Sequence, residues 1–162
     1  MRKPLDQTDR YILTLLTQDA DVSMEKLKDT LDIQYNIEIS RQAVQARVKK
    51  LKDREILKIK GVVDYKKLGK NVLAFILVSF ISGVGTAKHA GTATQPELAQ
   101  RIAELPDVLG VWIISGAWDI LVKVHGESLE EIGNLVLDKI RSFEGVGNTM
   151  TCACFSAIKE EY

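Results

Sequence analysis

Ser40-Arg-Gln-Ala-Val-Gln-Ala-Arg-Val-Lys-Lys-Leu-Lys52 has the residue order of a helix with one greasy face and one basic face. Ser40 is a helix-capping residue, and Val44, Val48 and Leu51 recur at spacings of four and three, which makes a single buried stripe. Arg41, Gln42, Gln45, Arg47, Lys49 and Lys50 must then share the remaining faces. Side chains of this kind near a helix start can reach base edges, and cations further along can hold phosphates. The stretch therefore predicts a recognition helix, with Arg41, Gln42 and Gln45 as base contacts, Arg47, Lys49 and Lys50 on phosphates, and Ser40 at its mouth. At helical spacing Arg47 can equally pair with an acid of the first helix, such as Asp9.

Two more helices precede it. Leu5, Ile12, Leu15 and Leu16 give an amphipathic helix from about Asp6 to Gln18, with Asp6 or Thr8 as its cap. A second, shorter one is capped by Ser23 and buries Leu27 and Leu31, before the pattern breaks over residues 32–36. With the third helix running to about Arg54, the three form a helix-turn-helix unit. Residues 57–64, Leu-Lys-Ile-Lys-Gly-Val-Val-Asp, alternate and then turn. They read as a strand or small wing whose Lys58 and Lys60 touch the flanking DNA backbone. Domain one is thus expected over residues 1–60 and a linker strand over 61–71.

Residues 72–162 have another rhythm. Val72 to Ile81 is a nearly unbroken apolar strand, followed by a Gly-, Ala- and Thr-rich loop from Ser82 to Thr94. Pro96 sits well in the first turn of a helix with Leu98, Ile102 and Leu105 on one side, which Pro106 ends. Val108 to Ile114 and Ile120 to His125 read as two strands of a hairpin joined by Ser115-Gly-Ala-Trp-Asp119. Ser128 and Glu131 suggest a capping box for a helix that buries Ile132, Val136, Ile140 and Phe143. A last strand follows, from about Asn148 to Ile158. The order strand, helix, strand, strand, helix, strand is that of a ferredoxin-like sandwich. The fold class is therefore α+β: a winged helix-turn-helix followed by a βαββαβ domain. Both helices of such a sandwich cover one sheet face, yet the strands are apolar on both, so a second copy of the chain is expected against the open face. A two-fold dimer would present two recognition helices and favour a near-palindromic site.

The charge distribution fits this division. The 162-residue chain has 22 basic and 22 acidic residues and no net charge. Residues 1–70, however, hold 16 basic and 11 acidic groups, and residues 71–162 hold 6 and 11. Residues 41–70 alone carry 11 against 3, the footprint of a surface that meets a polyanion. No run approaches the roughly 18 apolar residues of a membrane span, and the N-terminus has no apolar signal core, so a soluble, cytoplasmic protein without a membrane partner is expected. Cys152 and Cys154 would share one face of a strand, too far apart for an easy disulfide, and no histidine or cysteine pair completes a metal site. No cofactor is expected.

Leu5-Asp6-x-x-Asp9-Arg10-x-Ile12-Leu13, Ser40-x-x-x-Val44-x-x-Arg47-Val48-x-x-Leu51, Val63-Asp64 to Leu68-Gly69, and Ser115-Gly116-x-x-Asp119 before an apolar strand together resemble the Lrp/AsnC transcription regulators. The resemblance covers almost the whole chain. It implies a sequence-specific DNA-binding regulator whose ferredoxin-like half is a RAM domain, which dimerises and assembles further. It also implies an amino-acid or related effector bound at an interface of that domain, around Gly116 and Asp119. Thr149 and Thr151, on one face of the last strand, would add hydroxyls there. A purely structural role, in which Gly116 makes the hairpin and Asp119 caps it, stands beside this. The chain departs from the family pattern in the longer turn over residues 32–39, in Glu55 where glycine is common, and in the long loop 82–94 with its Lys88 and His89. Glu55 suggests a looser helix exit.

The competing expectation is an enzyme. Siroheme decarboxylases resemble this architecture and use histidine and basic residues to hold a tetrapyrrole. This chain offers His89 and His125, but its second half is acidic, which suits a polyanionic porphyrin poorly. It has no serine or cysteine nucleophile with a histidine partner and no phosphate-cradling glycine motif, so no enzyme activity is expected.

Overall fold

A computed structural model of the chain describes residues 4–81 and 94–158, in two compact units that meet at Gly61–Val62. The expectations for Lys88 and His89 fall outside the described residues.

The first unit is three helices: α1 (Gln7–Gln18), α2 (Met24–Tyr35) and α3 (Arg41–Asp53). Each begins where a short polar side chain accepts a backbone N–H of its first turn. Asp6 accepts from Asp9, Ser23 from Lys26 and Ser40 from Ala43. Ile12, Leu16, Leu27, Leu31, Val44, Val48 and Leu51 close a shared core, joined by Leu57. Helix α2 runs through the stretch where its apolar pattern broke. Its added turn is held by Tyr35, which stacks on Tyr11 of α1 with ring centroids 3.8 Å apart, and it stops at Asn36 in the left-handed region (φ 54°).

Helix α3 ends tightly, contrary to what Glu55 suggested. The N–H of Ile56 and that of Leu57 both reach back to the Leu51 carbonyl, and this turn places Glu55 itself at φ 57°. A β-carbon costs about 1–2 kcal/mol in that conformation, and glycine none of it. Glu55→Gly should therefore stabilise the first unit by about 0.5–1 kcal/mol after the greater chain entropy of glycine is counted. Urea unfolding followed by far-ultraviolet circular dichroism would measure the gain.

The expected wing over 57–64 and the linker strand over 61–71 are absent. Residues 57–64 are irregular, and 66–68 make a single 3-10 turn closed by Gly69 (φ 86°). Alternation alone does not make a strand. A strand needs a neighbour to take its backbone hydrogen bonds, and here Ile59, Val62 and Val63 stand exposed with no strand beside them among the described residues.

The second unit has the expected order. Strands β1 (Val72–Phe80), β2 (Val108–Ile113), β3 (Ile120–Gly126) and β4 (Val146–Ala153) make an antiparallel sheet in the order β2-β3-β1-β4. Helices α4 (Gln95–Ala103) and α5 (Leu129–Asn134) lie against one face, and their Leu98, Ile102 and Ile132, with Val136 and Ile140 of the turns after α5, pack on Ala74, Ile76, Val78, Ile120, Val122 and Val124. Helix α5 is less regular than its sequence suggested. A π turn follows at Leu135–Lys139 and a 3-10 turn at Ile140–Ser142. Ile132, Val136 and Ile140 are spaced by four each time, a pattern that drifts around a true α-helix. A wider turn between them keeps all three inward. The Ser128–Glu131 box is half made, because the Glu131 carboxylate takes the Glu127 N–H at 2.5 Å rather than that of Ser128. The complete box belongs to α4, between Thr94 and Glu97. Strand β4 stops at Ala153, five residues short of expectation, and Phe155 and Ile158 beyond it are fully exposed.

Candidate nucleic-acid interface and effector site

Burial of Val44, Val48 and Leu51 turns the opposite side of α3 outward. Gln42, Gln45, Lys49 and Lys50 are exposed there, with Ala46 among them. The small alanine leaves the long side chains room to approach a groove floor. Lys49, Lys50, Lys58 and Lys60 make no ion pair among the described residues. A phosphate would therefore not have to displace an internal partner.

The two arginines of α3 differ. Arg41, in the first turn, has its Nε 3.8 Å from an oxygen of Glu25 in α2, and both side chains are largely exposed. An exposed pair at this distance contributes little and releases readily. Arg47 is an internal clamp. Its Nη1 donates to Asp6 at 2.6 Å and to Asp9 at 2.7 Å, the latter 5 % exposed. These bonds hold the Asp6 carboxyl below the usual carboxylate range and push the Arg47 guanidinium above its own. Of the two expectations for Arg47, the tie to α1 is the one this geometry displays. Asp6 was missed as the second partner because its capping role already accounted for it. It does both, one oxygen capping Asp9 and the other meeting Arg47.

In the second unit Gly116 and Asp119 form the β2–β3 turn. Gly116 has φ 126°, and nothing lies within 4 Å of where its β-carbon would be. Backbone conformation alone requires the glycine. Asp119 is fastened at three points. Its Oδ2 accepts the Phe80 N–H at 2.7 Å, its N–H donates to Val78, and its carbonyl accepts the Ile114 N–H and the Gln95 side chain. The carboxylate thus fastens the end of β1, while the hairpin itself is closed by backbone groups. Val78 pairs with Ile120 on one side and Thr149 on the other, so Thr149 lies two strands from the Asp119 turn at the same end of the sheet. Its hydroxyl accepts from Arg141 Nε at 2.8 Å. Thr151 pairs with Ile76, one step further along the same face.

Among the described residues there is no cluster of histidine, cysteine and acid that could hold a metal, and no helix is long and apolar enough to cross a membrane. Cys152 and Cys154 are free thiols. His125 is buried and stacked on Tyr65 rather than open to a ligand.

Residues 79–162 match the Lrp/AsnC ligand binding domain. An uncharacterised HTH-type transcriptional regulator of Pyrococcus furiosus is 36 % identical over 162 residues, 99 % of each chain. The HTH-type transcriptional regulator FL11 of Pyrococcus horikoshii is 29 % identical, over 99 % of this chain and 95 % of its own. These relatives are transcriptional regulators, not enzymes. Among solved structures, a Neisseria meningitidis transcriptional regulator in complex with L-Met superposes with a TM-score of 0.83 at 21 % identity, covering 98 % of this chain and 94 % of that one. E. coli AsnC does so with 0.78 at 22 % identity, covering 99 % and 98 %. The recognition-helix pattern, the βαββαβ sheet and the full-length relatives agree: the chain belongs to the Lrp/AsnC family of HTH-type transcriptional regulators.

Proposed function

We propose that this regulator binds a near-palindromic DNA site as a homodimer, through the exposed face of α3, and that an amino acid bound beside the Asp119 turn modulates that binding. The observation that carries the DNA reading is the unpaired state of Lys49, Lys50, Lys58 and Lys60 beside exposed Gln42 and Gln45. Fluorescence anisotropy against the gene's own upstream DNA, with random DNA of equal length over a salt series, tests it. Tight binding that prefers the upstream fragment and weakens steeply with salt is expected. Absence of binding to either DNA at low salt would sink it.

Two substitutions separate the roles within α3. Arg41→Ala should reduce the preference for upstream over random DNA by about tenfold, the loss of one base contact. Lys50→Ala should weaken binding to both DNAs alike and lower the salt slope by about one. Equal losses on the two DNAs for both variants would remove the division.

The effector reading rests on Asp119. The carboxylate already takes one backbone N–H, and an amino acid's ammonium would add a charge-assisted bond to it. The complex of the Neisseria meningitidis regulator with L-Met makes methionine the first compound to try. Asp119→Asn keeps an acceptor for the Phe80 N–H but removes the charge. It should leave DNA binding and folding nearly unchanged, and weaken the response to the effector by about ten- to a hundredfold. An undiminished response would show that the ammonium is held elsewhere.

A further inference from the structure

His125 is the one buried histidine among the described residues, and neither reading above uses it. It lies on β3, 4 % exposed, on the sheet face opposite the helices. Tyr65 covers it, ring on ring, with centroids 4.9 Å apart and planes 20° from parallel. Its Nδ1 is 3.3 Å from the Lys70 carbonyl oxygen. A carbonyl only accepts, so Nδ1 carries the proton and Nε2 carries its lone pair. That Nε2 is buried with no partner among the described residues. Tyr65 and Lys70 both belong to the stretch by which the chain enters the second unit, a few residues after the junction at Gly61–Val62. The Lys70 ammonium is in turn paired with Asp107, in the turn before β2, and feels Glu127 and Glu131. Lys123 is two residues away on β3, and the neighbouring β1 contributes the apolar Leu73.

We propose that Tyr65, Lys70 and His125 form a proton-operated latch that fastens the connecting segment 65–70 to the sheet. Closed, the imidazole is neutral and its one N–H is satisfied. A second proton would create a buried N–H⁺ on Nε2 with no acceptor among the described residues, under a ring whose face is already occupied by the stack. A buried unpaired charge costs several kcal/mol, so the protonated ring must reach water, and it can do so only if Tyr65 lifts. The sign follows from proton linkage: the open state can bind a proton at this ring that the closed state excludes, so falling pH favours opening. Opening frees the only covalent path between the DNA-binding and sensing units, and the proton thereby becomes an input to the regulator.

Hydrogen exchange of the full-length protein, read by mass spectrometry as protection factors corrected for intrinsic rates, tests this over pH 7 to 5. Protection of the amides in 65–70 should fall by about ten- to 25-fold in the wild type, the span one proton allows. Protection in α1–α3 and in strand β1 should stay level. Protection in His89→Gln should fall as in the wild type, since His89 is the only other histidine. His125→Asn keeps a donor for Lys70 but does not titrate, and should hold its protection throughout. A level wild-type profile, or an equal fall in His125→Asn, overturns the latch. Should His125→Asn not fold, nitrogen-15 histidine spectra of His89→Gln decide: the Nδ1–H tautomer must give way to imidazolium in step with loss of protection in 65–70. Titration of the ring with the segment still protected also overturns it.

Discussion

Arg47→Ala should destabilise the first unit by about 2–4 kcal/mol, more than truncation of any other polar residue on α3. Removing the guanidinium leaves the Asp9 carboxylate, 5 % exposed, without its partner, and breaking a buried pair on one side costs more than the pair itself contributes. The value falls below the full buried-pair figure because Asp6 and the rim of Arg47 are solvated. The unfolding midpoint of α1–α3 in urea would report it, while the βαββαβ unit should unfold as before. Asp6→Ala should cost about 1 kcal/mol, the loss of a helix cap and of the exposed half of the clamp. A similar small loss for Arg47→Ala would mean that Asp9 finds water when Arg47 is gone. If Arg47 served DNA instead, its removal would leave folding untouched and weaken binding.

The same clamp sets the acid limit of this unit. The Asp6 carboxyl is held below its ordinary value, first by the Arg47 hydrogen bond and then by the Asp9 N–H. A depressed carboxylate contributes its stability above about pH 4, the unfolded value, and loses it as the pH falls through the lower folded one. Acid unfolding should therefore begin below pH 4 in the wild type, and Arg47→Ala should reduce this dependence to the part that the Asp9 N–H sustains.

What was legible in the sequence was what short-range chemistry decides. Ser23 and Ser40 announce helix starts because a cap needs only its own first turn, and Val44, Val48 and Leu51 announce a buried face because spacing alone aligns them. Strands β1, β2 and β3 were legible for the same reason, as apolar runs between turn residues, whereas the mixed sequence of β4 left its bounds misplaced. What failed depended on partners distant in the chain. Helix α2 runs four residues further than its own periodicity allows because Tyr35 finds Tyr11, 24 positions earlier. Residues 57–64 alternate like a strand, but no neighbour supplies a ladder. The candidate site was half legible. The basic face of α3 follows from periodicity, whereas the choice of Arg47 between phosphate and acid needed the approach of α1. Asp119 carried two readings, and its carboxylate has a structural partner in the Phe80 N–H of β1, outside the hairpin it was expected to cap.

The largest effect on DNA binding is expected from a residue of the second unit. The sheet face opposite the helices carries a continuous row, Trp112–Leu121–Leu77–Met150, that crosses all four strands in register. Trp112 and Met150 at its ends are 48 % and 42 % exposed, and the Trp112 indole lies over Gly110, where a β-carbon would come within 2.3 Å of the ring. An open apolar row of this length, laid flat by a glycine, suits a second sheet of the same chain. Leu121→Asp puts a carboxylate in its centre. A lone chain would tolerate the change, because Leu121 is only half-buried, but a two-fold dimer would bury two carboxylates near each other at several kcal/mol apiece. Sedimentation should find a dimer for the wild type and a monomer for Leu121→Asp. Affinity for a two-half-site operator should drop by about 10²- to 10⁴-fold, the loss of linked binding by two recognition helices, while binding to a single half-site stays level. Leu129→Asp, an exposed leucine on α5 at the other face, is the control. Dissociation by Leu129→Asp instead would assign the interface to the helices, and the open sheet face would then need another occupant.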